Sequence, residues 1–256
     1  MPRIVIVLAL LVASAIRPAS AQSPTPAYVV LGDSIEFGLG DDISADGLGY
    51  VPLVAAFLTT FFGASVEVHN FGEPFAQTRV IWREQLPETL AGADGNAPVV
   101  VSWGGGGNDL ADVGTGPQAA ACHQSQSCLG RFNGLLNEIE QTIDRTIRSL
   151  REALGPDTVI LMRTQYNALL RTGCASPEVA ALGTVTLEGL EGTVLDRGLN
   201  DRIRSVAEKY DAQVVDLFLP FAVSANTLVA ADCIHPSGVG YQAIAMLSGS
   251  SFLAAQ

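Results

Sequence analysis

Positive charge is scarce in this chain. Its 14 lysines and arginines stand against 26 aspartates and glutamates, a formal net charge of -12, and the basic residues form no run. Such a surface repels nucleic-acid phosphates and anionic membranes, so neither is expected as a partner. Long apolar runs are missing as well. The longest, Ile4 to Ile16, falls short of the roughly 20 residues that span a bilayer, which argues against a stable membrane anchor. No Pro/Gly/Ser linker divides the chain, and no repeat or low-complexity segment occurs. Gly-Lys-Ser/Thr is absent after the glycine run 104–107, which speaks against a nucleotide P-loop. There are only three histidines, His69, His123 and His235, so candidates for a general base are few.

What is present begins with a leader. Met1-Pro2-Arg3, the apolar run and the small residues Ala19-Ser20-Ala21 have the three parts of a secretory signal peptide, giving residues 1–21 as leader and 22–256 as the mature chain. Its removal takes away Arg3 and Arg17 but no carboxylate, so the mature protein is more acidic still. The expected location is secreted or periplasmic. Cys122, Cys128, Cys174 and Cys233 would then meet an oxidising compartment, and two disulfides are the natural reading. Four cysteines allow three connectivities; local spacing favours Cys122 with Cys128, leaving Cys174 with Cys233. His123 beside Cys122 raises zinc as a rival, but Cys-x5-Cys lacks the tight spacing of common zinc modules, so no metal is assigned.

With 48% hydrophobic residues the chain can bury a substantial core. Near-continuous Val/Ile/Leu runs at Ala27 to Leu31, Ser65 to His69, Pro98 to Trp103, Thr158 to Met162 and Gln213 to Leu217 read as strands buried on both faces. Helical patterns lie between them at Tyr50 to Phe62, Thr78 to Leu90, Arg131 to Ala153 and Leu187 to Tyr210, with a last one after Ser237. The stretches Ala111 to Gly130 and Thr164 to Thr186 read as irregular. Such alternation predicts one α/β domain with a parallel sheet between helices, and its chemistry belongs just beyond the carboxyl ends of the strands.

Four short motifs stand there. Gly32-Asp33-Ser34-Ile35, with Gly38 following, comes after the first strand; alone, it is best read as a helix cap, since Asp and Ser are favoured there. Asn70-Phe71-Gly72 follows the second strand and alone is an ordinary turn. Gly106-Gly107-Asn108-Asp109 follows the third, in a run of glycines that clears side chains from a crevice and offers the Asn108 amide as a donor. Asp232-Cys233-Ile234-His235-Pro236 places an acid three positions before a histidine. That offset lets the carboxylate take the Nδ1 proton and leaves Nε2 to accept one from a serine.

In this order, the four motifs resemble the blocks of the SGNH or GDSL-type serine hydrolase superfamily of esterases and lipases, over nearly the whole mature chain. The resemblance implies a three-layer, flavodoxin-like α/β/α sandwich with a five-stranded parallel sheet. It further implies Ser34 as nucleophile, Asp232 and His235 completing a triad, and Ser34, Gly72 and Asn108 as oxyanion-hole donors, with no cofactor. Where the family often continues its second block with a further small residue, this chain has Glu73-Pro74-Phe75-Ala76. Phe37, Phe71, Phe75 and Trp103 flank these residues and are candidates to line an acyl pocket, with core packing the alternative for each. The expected substrate is a small-molecule or lipid ester with a short or lipid-like acyl chain. Deacetylation of a polysaccharide is the second reading, and a non-catalytic carbohydrate-binding module on the same scaffold a third, of a different class.

Overall fold

Five strands carry the chain back and forth through its core: β1 Ala27–Leu31, β2 Glu67–Asn70, β3 Val99–Trp103, β4 Val159–Arg163 and β5 Gln213–Val215. The computed structural model describes residues 25–40, 49–92, 99–114, 122 and 125–256. The leader 1–21, Pro98 and His123 lie outside the described residues. All strand pairs are parallel, in the order β2-β1-β3-β4-β5. Parallel neighbours need helical crossovers, and these cover both faces of the sheet.

Alternate side chains of each strand therefore enter different cores. Tyr28, Val30, Val100, Leu161 and Val215 face the helices Val51–Phe62, Phe218–Val223, Ala225–Leu228 and Gly238–Ala254. Val29, Leu31, Val101, Trp103, Ile160 and Met162 face the helical run from Thr78 and the helices Gln126–Leu154 and Leu199–Lys209. Truncating a buried leucine such as Leu161 to alanine in this setting costs about 2–5 kcal/mol. This is the expected α/β sandwich with a five-stranded parallel sheet.

Several boundaries differ from the sequence reading, each for a local reason. β2 begins at Glu67, two residues late, and its side chains are mostly exposed, because it is an edge strand with a neighbour on one side only. β5 ends at Val215, and Leu217 instead caps the next helix. The expected helix Leu187 to Tyr210 is two helices, Pro177–Glu188 and Leu199–Lys209, broken where Gly189 (φ 77°) and Gly192 (φ 78°) turn left-handed. The first starts inside the supposedly irregular stretch 164–186, with Ser176 as N-cap and Pro177 in its first turn. The long helix starts at Gln126 rather than Arg131, because the Ser125 side chain caps it.

The run from Thr78 is α-helical at Thr78–Val80, π-helical at Ile81–Gln85 and α-helical again at Leu86–Gly92. Pro87 has no N–H to give the carbonyl of Arg83, and widening the preceding turn accommodates that loss. Both expected disulfides are formed, Cys122–Cys128 and Cys174–Cys233, with Cα separations of 5.3 and 5.4 Å. Strand order reverses between β1 and β3, which opens a crevice at their carboxyl ends.

Candidate active site

β1 delivers Ser34 to that crevice. The turn after it is a capping box: the Asp33 side chain accepts from Ile35 N at 2.9 Å, and Glu36 Oε2 accepts from Asp33 N at 3.0 Å. The capping role read into Gly-Asp-Ser thus falls to Asp33, and Ser34 occupies the first helical position with its hydroxyl left to another partner. Gly38 closes the short helix Ser34–Phe37 in the left-handed region, φ 94°. On the other side, Gln85 from the π-helical turn bonds both the N–H and the carbonyl of Gly32, each at 2.9 Å, as a neighbouring strand would.

The partner of Ser34 comes from the other end of the chain. His235 Nε2 lies 2.9 Å from Ser34 Oγ, and His235 Nδ1 lies 2.6 Å from Asp232 Oδ2. The second Asp232 oxygen accepts from the backbone N–H groups of Ile234 and His235, both at 3.0 Å. Partial burial alone would raise the Asp232 carboxyl, but the His235 and backbone hydrogen bonds outweigh it and hold the group below its ordinary value. An ionised carboxylate, an imidazole and a hydroxyl in this order can move a proton from serine to histidine and stabilise the imidazolium.

The loop carrying Asp232 and His235 is fastened at several points. Val229 and Pro236 form an antiparallel bridge, Ala230 N donates to His235 O at 2.8 Å, and the Tyr166 hydroxyl donates to Ile234 O at 2.6 Å. The Cys174 disulfide holds Cys233, whose backbone is left-handed at φ 64°. Gly40, at φ 81°, packs against the Cβ of His235.

The other expected donors are nearby, with partners of their own. Gly72 N donates to Asn70 Oδ1 at 2.9 Å, and Asn70 Nδ2 donates to Glu36 O at 2.8 Å. Gly72 sits so close to the Ser34 turn that a Cβ there would fall 2.6 Å from Phe37 N, which explains the glycine. Asn108 Nδ2 donates to Ala76 O at 3.0 Å, a bond that uses one of its two amide hydrogens. An oxyanion would therefore have to compete with Asn70 for the Gly72 N–H.

The four aromatic candidates separate. Phe37 and Phe75 are exposed, at 49% and 83%, and Phe75 is also left-handed at φ 67°. Phe71 is half-buried, packed on the core, and Trp103 is wholly within it, so the structure gives Trp103 no face toward the crevice. A strand-final aromatic alternates to one face or the other, and Trp103 falls on the face of the long helix.

Beneath Ser34 lies a polar cluster that no motif announced. Arg163, the last residue of β4, makes a paired contact with Glu36, Nε to Oε1 at 2.8 Å and Nη2 to Oε2 at 3.1 Å, and its Nη2 is 3.7 Å from Asp33 Oδ1. The Tyr50 hydroxyl donates to Glu36 at 3.2 Å. Burial, and then the Glu36 charge, push Asp33 up to about 7, against the pull of Arg163. Burial opposes the Arg163 charge, but Glu36 and Asp33 more than offset it and hold the guanidinium above its ordinary value. Two signals were legible: Glu36 three residues after an Asp cap, and an arginine ending the apolar run Val159–Arg163. Among the described residues no three His, Cys, Asp or Glu side chains gather into a metal-binding set.

The model for GDSL-like lipases and acylhydrolases matches residues 30–243, from within β1 to beyond His235. The chain belongs to the GDSL-like lipase/acylhydrolase family. It is a family of carboxylic ester hydrolases. Among solved structures, the lipase Lip_vut3 from a goat rumen metagenome matches with a TM-score of 0.66 at 19% identity, over 90% of this chain and 97% of that one. Axe2, an acetylxylan esterase from Geobacillus stearothermophilus, matches with a TM-score of 0.59 at 20% identity, over 91% and 94%. A member of the lipolytic G-D-S-L family from Veillonella parvula matches at 0.59 and 16% identity, over 90% and 99%. At such identities these likenesses establish the GDSL fold and leave the substrate open. No curated protein matches the sequence.

Proposed function

We propose that this GDSL-family protein is a secreted serine esterase, one catalytic domain over residues 22–256 behind a cleaved leader. Ser34 attacks the acyl carbonyl while His235 takes its proton and Asp232 orients the imidazole. The Ser34–His235–Asp232 chain of contacts, at 2.9 and 2.6 Å, is the observation that carries this reading. The oxyanion is assigned to the backbone N–H of Ser34 and Gly72 and the Asn108 amide; losing one such donor typically lowers turnover about 10²- to 10³-fold. His235 then protonates the leaving alcohol, and water activated by the same base releases the acid.

The acyl group is proposed to be short or lipid-like. Exposed Phe37, at the end of the short Ser34 helix, with Phe75 and Ile234 on neighbouring loops, supports an apolar approach to Ser34. Deacetylation of a polysaccharide is the second reading, which turnover of an acetylated xylan in preference to p-nitrophenyl esters would select. Export is supported by the leader pattern and the two disulfides. Among the described residues no helix is long and apolar enough to cross a membrane.

The test is hydrolysis of p-nitrophenyl esters from acetyl to long-chain beside an acetylated xylan. Ser34→Ala is expected to abolish cleavage and labelling by a fluorophosphonate while leaving the circular dichroism unchanged. Full activity in Ser34→Ala would refute the assignment.

A further inference from the structure

An acid and a base buried together are weak stabilisers, since removing both from water costs several kcal/mol that their attraction only partly returns. Glu36 and Arg163 are 0% and 2% exposed, and Asp33 adds a second carboxyl at 3%. The contacts of this cluster point to a different role, because they run to each of the three strand-end loops around Ser34.

Glu36 Oε2 accepts from Asp33 N, which fixes the nucleophile turn. The Glu36 main-chain carbonyl accepts from Asn70 Nδ2, and the oxygen of that amide in turn receives Gly72 N, which fixes the second loop. Gly104, at the start of the third loop, is packed so tightly on Glu36 and Arg163 that a side chain would overlap both. Arg163 Nη1 donates to Gln165 Oε1 at 3.3 Å, and Gln165 Nε2 donates to Gly105 O at 2.7 Å, three residues before Asn108. Among the described residues, Tyr50 and Asp33 also place polar side chains on the Glu36–Arg163 pair.

We infer that Glu36, with Arg163 as its counter-ion, is a positioning residue that sets the spacing among Ser34, Gly72 and Asn108. The inference rests on the reading of Ser34 as nucleophile and of the other two as oxyanion donors. Glu36 touches no substrate. It acts by holding three loops to one point, and donors must sit within a few tenths of an ångström of the developing charge to be of use. The bidentate fork of Arg163 keeps both carboxylate oxygens directed, which a lysine cannot do.

Kinetics with p-nitrophenyl acetate on the full mature chain test this. Glu36→Gln keeps the shape of the side chain but turns an amide N–H toward Arg163 or Asp33 N, so the fork opens. In a variant folded by circular dichroism, kcat is expected to fall about 30- to 100-fold with KM changed less than about twofold, as a small misplacement of reacting groups does. Arg163→Lys should show the same kcat-selective loss. The double variant Glu36→Gln/Arg163→Lys should lose less than the product of the two, since both break one contact. A folded Glu36→Gln enzyme with kcat within about threefold of the parent would overturn the inference. If that variant does not fold, Arg163→Lys decides: it keeps the positive charge but not the two-pronged contact with Glu36, so an unchanged kcat in folded Arg163→Lys also overturns the inference. Ser34→Ala, run alongside, separates the two levels. Retained cleavage in Ser34→Ala refutes the nucleophile reading itself, whereas a dead Ser34→Ala beside a fully active Glu36→Gln refutes only the clamp.

Discussion

Ser34 and His235 meet at 2.9 Å but come from regions built in opposite ways. Around Ser34 the supporting side chains Asp33, Glu36 and Arg163 are buried, and their hydrogen bonds face no competition from water. Around His235 the support is nearer the surface: Asp232 is exposed, Ile234 is 61% exposed, and what fastens the loop is a disulfide, the Tyr166 hydroxyl and a few backbone contacts. The Ser34 half is held by the buried interior beneath it. The His235 half is held by ties made at the surface. Loss of a charge from the first should therefore be felt in stability as well as in turnover, and damage to the second in turnover with stability largely kept.

The sharpest test of this contrast lies on the exposed half. His235→Ala is expected to lower kcat about 10⁴-fold or more, the scale on which a serine hydrolase loses its base. Because the residue sits on a surface loop, thermal melts should move by no more than a few degrees. A large drop in melting temperature would show the loop to be part of the fold's support and would erase the distinction. Next in size is Arg163→Met on the buried half. Removing the cation leaves Glu36 and Asp33 without their partner, and breaking a buried pair in this way costs about 3–5 kcal/mol, to be read from urea unfolding. Stability within 1 kcal/mol of the parent would mean that the cluster shares its charge some other way.

Reduction of Cys174–Cys233 probes the tie itself. The two cysteines are 59 residues apart in sequence, so the bridge closes a long loop, and such links contribute about 2–4 kcal/mol. The paired variant Cys174→Ser/Cys233→Ser is expected to keep its far-ultraviolet spectrum at 25 °C while kcat falls about tenfold, as Asp232 and His235 lose their register with Ser34. Undiminished turnover with both thiols absent would leave the Tyr166–Ile234 bond and the Val229–Pro236 bridge as sufficient supports.

The same division governs what the sequence could disclose. The exposed half is local: Asp232 and His235 are three residues apart, and their chemistry is legible in one pentapeptide. Asp33 and Glu36 are equally close, and the capping pattern is visible, but Arg163 lies 127 residues away and meets Glu36 only because β4 lies beside β3 in the sheet. No spacing rule predicts that contact. Gln85 reaches Gly32 across 53 residues, through a π-helical turn whose only mark in the sequence is Pro87. Trp103 is open to two readings by sequence, pocket lining or core packing, because a strand-final aromatic can face either layer, and the assembled sheet puts it in the core. The break between helices at Gly189 and Gly192 was missed because the apolar periodicity resumes in phase beyond it.

The smallest expected effect is a change of slope, and it sets the two halves against each other as a function of pH. Asp33 stands at about 7 in the folded chain, above its ordinary 3.8, so between these values the folded protein holds a proton that the unfolded chain has released. Stability from this group is complete below about pH 4, declines as pH rises toward 7 and is flat beyond. Asp232 runs the other way: its carboxyl is held below the ordinary value, so its contribution is present at neutral pH and is lost as the solution becomes acidic. Asparagine caps a helix about as well as aspartate, so Asp33→Asn should preserve the turn while removing the first titration. Melting temperatures of the parent and Asp33→Asn, taken from pH 4 to 8, should diverge in favour of the variant as pH rises. Asp232→Asn should instead lose part of the acid limb. Parallel curves for Asp33→Asn and the parent would mean that Asp33 stays ionised throughout, with Arg163 shared evenly between two carboxylates, and that the interior beneath Ser34 is more polar than its burial implies.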